Sequence, residues 1–218
     1  ALAGIPNVGG GVNGMPAQLL ITEVDTRTTD AVEFQNVSSG ELDISGWRVS
    51  FYDHARWPLP KGTFVVPVGT VVAAGAVFRI QEGATAPNAF PRFSLGQPLD
   101  WGVDRTESIL TTRPIAVMLQ DSTGGLRDFF AASGAEPGQI DIPLSVDASQ
   151  WPGFPLGGIN VLTPTSQTYQ RVGWWNRPGE DSWERALATL PGQNGRMRVP
   201  FVDGRLSAVA PPVLATFT

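Results

Sequence analysis

The feature that most constrains this chain is the alternation of apolar and polar residues between Leu19 and Asp53. Val32 and Phe34 fall on one face of an extended segment there, whereas Glu33 falls on the other. Period-two spacing between polar turns is typical of half-buried antiparallel strands. The chain is therefore predicted to open with three short strands, at Leu19–Asp25, Asp30–Val37 and Ile44–Asp53.

Composition favours an all-β fold. The chain has 218 residues, 42% of them hydrophobic, which suits one large domain with a substantial core. The 25 glycines and 19 prolines are spread as turn punctuation, which favours many short strands. Trp47 alternates with Val49 and Phe51 and is predicted to lie in the core. Further predictions are strands at Thr63–Val66, Thr70–Ala73, Ala76–Gln81, Ile115–Gln120, Leu126–Phe130 and, as the last sandwich strand, Gln167–Gly173, then a helical turn in Gly179–Ala188 capped by Asp181 and Ser182.

A longer pattern runs through the opening strands as I-T-E-V, then V-E-F-Q-N, then L-D-I-S-G-W-R-V-S. It continues in Phe64–Ile80 and Ala116–Asp128, and again at Gln170-Arg171 and Pro191–Asn194. This pattern resembles the lamin tail domain family, an immunoglobulin-like β-sandwich found in nuclear lamins and in many bacterial extracytoplasmic proteins. The resemblance implies one antiparallel sandwich domain over residues 17–195. The stretches 81–113 and 134–165 are longer than the family's usual connections and are expected to be loop insertions.

The two ends of the chain are predicted to be extended. Residues 1–16 are Gly-rich and almost uncharged, which is typical of a linker or tail, and residues 196–218 are expected to form an extended C-terminal tail. No apolar run approaches the roughly 20 residues of a membrane span. Because the chain starts at Ala1 without Met, any signal peptide or lipid anchor is expected outside it. The family resemblance implies an extracytoplasmic location, in the periplasm, at the cell surface or in the medium, with membrane association only through a partner or such an anchor.

Charge and cysteine content exclude several functions. The net charge is −5 and the pI about 4.8, and the 15 basic residues are scattered. Binding to nucleic acid needs a basic face that neutralises phosphates, so we expect no nucleic-acid partner. The chain has no cysteine, which excludes disulfides, thiolate metal sites and cysteine nucleophiles. No cofactor is expected.

Tryptophan is the most informative candidate for binding. Trp47 lies on a clear strand pattern, but five others fall beside Pro or Gly in predicted loops: Trp57, Trp101, Trp151, Trp174 and Trp175. Exposed aromatic side chains stack on sugar rings or anchor protein interfaces. The alternative is that they pack over the open ends of the sandwich.

Candidate catalytic and metal-binding residues are weaker. His54 is the only histidine, and its neighbour Asp53 would point to the opposite face of a strand, so neither a triad nor another catalytic residue is predicted. Glu23, Asp25 and Glu33 are expected on a solvated outer face, although a structural cation at the Glu23 and Asp25 end is a minor hypothesis. No loop has the close acidic spacing of a calcium site, so no metal is predicted.

These observations favour a non-catalytic binding or structural module that contacts other proteins in a secreted, surface or extracytoplasmic assembly. The Gly-rich start and extended end would suit addition of a β-strand to a neighbour. The first alternative is a carbohydrate-binding module that uses the loop tryptophans on polysaccharide. The second is a glycan-acting enzyme that pairs acids such as Glu23 and Glu33, which needs both carboxylates in an open cleft.

Overall fold

The computed structural model describes residues 18–27, 29–53, 56, 58–83, 88–99, 101, 115–133, 151, 156–157, 166–174 and 179–201. In those residues it places thirteen strands and a short 3-10 helix at Glu180–Ser182. The strands are β1 (Leu19–Asp25), β2 (Ala31–Asn36), β3 (Leu42–Asp43), β4 (Arg48–Tyr52), β5 (Gly62–Val65), β6 (Val71–Val72), β7 (Val77–Gln81), β8 (Arg92–Ser94), β9 (Ile115–Gln120), β10 (Leu126–Ser133), β11 (Leu156–Gly157), β12 (Gln167–Arg171) and β13 (Trp183–Leu187). No helix among these residues is long and apolar enough to cross a membrane.

The strands form two facing sheets and one small ladder. The first sheet has the order β13-β12-β1-β2-β7-β8, the second has the order β11-β10-β9-β4-β5, and β3 pairs with β6. Pairing is antiparallel except for β7 with β8 and β10 with β11. One large apolar cluster fills the space between the sheets. The predicted all-β, antiparallel sandwich is confirmed.

The opening strands follow the predicted pattern closely. Val32 and Phe34 face the core, and Trp47 is only 6% exposed, as predicted. The third predicted strand, Ile44–Asp53, begins later than predicted, because β4 starts at Arg48 and the preceding residues form a turn in which Gly46 has a φ of 74°. Asp43 holds that turn by accepting a hydrogen bond from the Ser45 amide at 2.8 Å. The turn carries the chain from the small ladder into the five-stranded sheet.

The later part of the chain differs from two predictions. β12 is not the last sandwich strand, because β13 pairs with it along its whole length. Within Gly179–Ala188 the helix has only three residues, and Asp181 and Ser182 lie inside it instead of capping it. The rest of this segment forms a strand and not a helix, because the strand places Trp183 in the core cluster. The predicted insertion 81–113 also contains β8, whose Phe93 joins the core.

A third layer lies on the outer face of the six-stranded sheet. It is formed by residues 188–201, which we call the strap. Met197 and Phe201 of the strap pack with Leu20 and Val37 in a second buried apolar cluster. The Phe201 amide donates a hydrogen bond to the Val37 carbonyl at 2.8 Å. The first residues of the predicted C-terminal tail are thus packed on the sheet, and the tail beyond residue 201 lies outside the described residues.

A buried ion pair joins the two sheets where the β1–β12 ladder ends. Arg171 of β12 donates from Nη2 to both carboxylate oxygens of Asp128 in β10, at 2.8 and 2.6 Å. The same two side chains complete the hydrogen bonds of the Ile21 backbone, since Asp128 Oδ2 accepts from its N–H at 2.8 Å and Arg171 Nε donates to its carbonyl at 2.7 Å. Arg171 also lies over the Trp183 ring, 4.7 Å from its centroid. Burial raises the pKa of Asp128, and the guanidinium opposes that effect.

We expect Arg171→Met to lower the free energy of unfolding by about 3–5 kcal/mol, because Asp128 would remain buried without its counterion. Urea denaturation of the purified chain measures the loss. The exposed Arg48→Met is the matched control and is expected to change stability by less than about 0.5 kcal/mol. Adding Asp128→Leu to Arg171→Met should recover only part of the loss, since Ile21 still lacks partners. A loss below about 1 kcal/mol for Arg171→Met would contradict the role of the pair.

Candidate functional site

The tryptophans expected on exposed loops do not form one surface. Trp101 is 4% exposed, and its indole Nε1 donates to the Tyr52 carbonyl at 2.8 Å. Trp151 is 1% exposed and packs against the edge of the Phe129 ring at 5.7 Å. Their expected exposure is therefore wrong, because both indole rings fill the core beside Gly- and Pro-rich connections. Of the other three, Trp174 is 46% exposed, and Trp57 and Trp175 lie outside the described residues.

The strand carboxylates Glu23 and Glu33 are brought together, but not in a cleft. They are direct cross-strand partners on β1 and β2. The expectation of a solvated face is wrong, since both residues are 0% exposed. The strap covers them and donates to them: the Thr189 hydroxyl binds Glu23 Oε2 at 2.6 Å, and the Gly192 amide binds Glu33 Oε2 at 2.9 Å.

A bulge in β1 creates this arrangement. The register of β1 against β2 shifts between Ile21 and Glu23, so that Thr22 and Glu23 both oppose Glu33 on the outer face. Thr22 Oγ1 then donates to Glu33 Oε1 at 2.9 Å. Asn194 of the strap donates to the Thr22 carbonyl at 2.6 Å. The strap is therefore bound by hydrogen bonds whose partners come from the bulge itself.

The buried carboxylates are occupied by the chain's own donors. Burial raises the pKa of Glu33 to about 7 from its ordinary 4.5, and the Gly192 and Thr22 hydrogen bonds oppose the rise. A glycosidase needs its two acids open to the substrate, and here the strap closes that access. Asp25 forms an ion pair with Arg27 at 2.6 Å, so its charge is already balanced by a side chain of the protein. Within the described residues, no group of three or more His, Asp and Glu side chains is placed to hold a metal ion. His54 lies outside them.

Exposed apolar side chains cluster in sequence around β5, the last strand of the five-stranded sheet. Val68 is 93% exposed and Leu59 is 69% exposed. Val65 and Val71 are 53% and 47% exposed. We call these four residues, together with the outer side of β5, the β5 edge. Solvent-facing aliphatic side chains scattered singly are ordinary, whereas several beside a sheet edge mark a place for contact.

Among the residues that the structure describes, none pairs with the backbone of β5 along this edge. The Val66 amide donates to the Trp47 carbonyl at 2.9 Å, so alternate residues point toward β4. Thr63 and Val65 consequently direct their N–H and C=O groups away from the sheet. The start of the strand is covered, because Gln97 Nε2 donates to the Lys61 carbonyl at 3.2 Å. The open part is therefore short and lies beside Val65.

The edge of the other sheet at β8 is closed instead. Ala89 and Arg92 exchange two backbone hydrogen bonds, at 3.0 and 2.7 Å. The Asn88 side chain accepts from the Ser94 amide at 2.8 Å. These contacts use the donors and acceptors that a further strand would need beside β8. The contrast with β5 makes the β5 edge the better candidate site.

Comparison with known proteins bears on this fold directly. A family model described as Lamin Tail Domain matches residues 15–134. The chain belongs to the lamin tail domain family. No curated protein matches this sequence significantly. The predicted resemblance is thus confirmed, and with it the immunoglobulin-like β-rich fold. The match includes β1 to β10, so the β5 edge lies within the matched residues, whereas β11, β12, β13 and the strap follow them.

We expect the lamin tail domain of this chain to lose stability as the pH rises because of Glu33. Its pKa in the folded chain is about 7, above the ordinary 4.5, so the contribution is full below about 4.5 and is lost as the pH passes 7. A rise of this size corresponds to about 3 kcal/mol. Denaturant unfolding at about pH 5 and about pH 8 should show that Glu33→Gln removes this part of the pH dependence. The exposed Glu41→Gln should keep the wild-type slope, and an unchanged slope in Glu33→Gln would contradict the assignment.

Proposed function

We propose that this chain is a non-catalytic module that makes protein–protein contacts through the β5 edge. The observation that carries the proposal is the combination of outward-pointing backbone groups at Thr63 and Val65 with exposed aliphatic side chains on both sides of the strand. Such an edge accepts an extended segment of another protein by strand addition. Backbone hydrogen bonds would supply part of the affinity, and apolar contacts with Val65 and Val68 would select the partner.

The setting of this contact is part of the same proposal. Membership of the lamin tail domain family supports a non-catalytic role by analogy, while the choice of function rests on the β5 edge, since a fold alone does not select a function. We place the module in an extracytoplasmic assembly, by analogy with the bacterial members that the sequence resembles. The acidic pI of about 4.8 favours a protein partner over a nucleic acid. The enzyme alternative loses its main support, because Glu23 and Glu33 are sealed under the strap.

The test replaces an apolar side chain of the β5 edge by a charge. Val65→Lys should weaken association by about tenfold or more, because lysine on an edge strand opposes strand addition. A photo-crosslinking residue at position 68 of the full chain, in its native cells, first identifies the bound protein. Binding of that protein to the purified wild-type chain and to Val65→Lys is then measured by calorimetry. Thr63→Pro should act in the same direction by removing an outward N–H without breaking the β4–β5 ladder.

Leu187→Lys is the matched control, because Leu187 is also an exposed aliphatic residue but lies on β13 of the other sheet. It should leave the association unchanged. Equal affinity of wild type and Val65→Lys for the crosslinked protein would contradict the proposal. So would a chain that yields crosslinks from position 174 and none from position 68.

The exposed indole of Trp174 supports the carbohydrate-binding alternative. Sugar binding usually needs an aromatic ring that is open to solvent, and Trp174 is 46% exposed. Its partner rings in the original hypothesis, Trp101 and Trp151, are buried. Tryptophan fluorescence of wild type and Trp174→Ala across a panel of polysaccharides separates the two functions. A saturable change that is lost in Trp174→Ala would favour sugar binding, and no change in the wild type would remove this alternative.

A further inference from the structure

One polar row crosses the whole outer face of the six-stranded sheet. Successive strands place direct cross-strand partners in it, in the order Glu184, Gln170, Glu23, Glu33, Arg79 and Arg92. Direct partners share one face of a sheet, so their side chains are neighbours. The middle of the row is covered and hydrogen-bonded by the strap. Its end, at β7 and β8, is not.

The two arginines at that end have no ion-pair partner in the part of the chain that the structure describes. Arg79 and Arg92 are partners in the parallel pair of β7 and β8, and neither guanidinium forms a hydrogen bond or ion pair with the described residues. The adjacent Glu33 attracts Arg79 but forms no hydrogen bond with it, and its oxygens accept from Thr22 and Gly192. Asp25, the other acid near Arg79, is paired with Arg27. Like charges in direct cross-strand positions destabilise a sheet unless something neutralises them.

Burial adds a second, independent observation. Arg79 Nε is fully shielded from solvent and has no hydrogen-bond partner. An unsatisfied buried donor on a charged group costs more than an exposed one, because water does not replace the missing acceptor. Burial and the neighbouring Arg92 lower the pKa of Arg79, and the charges of Asp25 and Glu33 oppose that effect in part. Arg92 itself is exposed, so the pair is reachable from outside.

We propose that Arg79 and Arg92 form a binding site for an oxyanion, either a small free anion such as phosphate or a carboxylate on an acidic segment of a protein. The planar guanidinium matches both shapes, because it donates two parallel N–H bonds to two oxygens of one group. An anion bound beside the two guanidinium groups would offset their mutual repulsion and lower the cost of holding the buried Arg79 in its charged form. The site lies on the six-stranded sheet and the β5 edge on the five-stranded sheet. Failure of either proposal would therefore leave the other unaffected.

The test follows the arginine Nε–H signals of the intact chain by nitrogen–proton NMR. One arm adds sodium phosphate, with sodium chloride at equal ionic strength as reference, and the other adds a hexaglutamate peptide. The Arg79 signal is identified by its loss in Arg79→Gln. We expect a saturable shift of the Arg79 and Arg92 signals in at least one arm. Binding should weaken by about tenfold or more in both Arg79→Gln and Arg92→Gln.

The controls separate a built site from general charge attraction. Arg48→Gln removes an exposed strand arginine of the other sheet and should leave binding unchanged. Arg79→Lys keeps the charge and is expected to bind more weakly than wild type, because lysine lacks the two-pronged geometry. A response to phosphate alone assigns a small anion, and a response to the peptide assigns a protein carboxylate. No shift in either arm, or equal binding in the two glutamine variants and wild type, would overturn the site.

Discussion

The buried pair of Arg171 and Asp128 is the interaction on which the relation of the two sheets depends. It lies where the pairing of β1 with β12 ends. There its two side chains form hydrogen bonds with the N–H and the C=O of Ile21, in place of a neighbouring strand. A buried ion pair adds little net stability, but it is costly to leave half-made. The pair therefore fixes one alignment of β1, β10 and β12, because a shifted register would leave two charges and two backbone groups unsatisfied.

The bulge in β1, next to that ion pair, determines which side chains the outer face of the six-stranded sheet carries. By turning Thr22 and Glu23 to the same side, it produces a polar row that no apolar layer would cover without cost. The strap covers this row at low cost, because its backbone and hydroxyl groups donate hydrogen bonds to the carboxylates. Met197 and Phe201 of the strap bury apolar surface beside them. Paired acids that suggest catalysis from the sequence are here the anchor of a structural segment.

Apolar runs between polar turns are sufficient to predict β1, β2, β7, β9 and β10. Core-facing positions repeat at period two in β2 and β7, whereas a bulge breaks that spacing in β1 and consecutive residues of β9 and β10 join the core. These patterns are not sufficient to predict the burial of Glu33, whose donor Gly192 is 159 positions away in the chain. Local pattern cannot show that a distant segment covers a face. The exposure predicted for Trp101 and Trp151 is wrong for a related reason. Pro and Gly neighbours predict a connection between strands, but they do not show where a large apolar ring in that connection packs. The open β5 edge and the arginine pair both needed strand order, which the sequence alone does not fix.

Satisfaction of polar groups separates the places that hold this fold together from the places that are free to bind. Glu23, Glu33 and Asp128 accept hydrogen bonds from donors of the chain itself. A ligand would have to displace the strap to reach the two glutamates, or separate the two sheets to reach Asp128. At β8 the chain closes its own sheet edge with Ala89. At β5 the described residues leave outward backbone groups unpaired beside four exposed aliphatic side chains. An unpaired apolar edge is a liability for aggregation, so a partner strand bound at β5, as proposed, would also remove that liability.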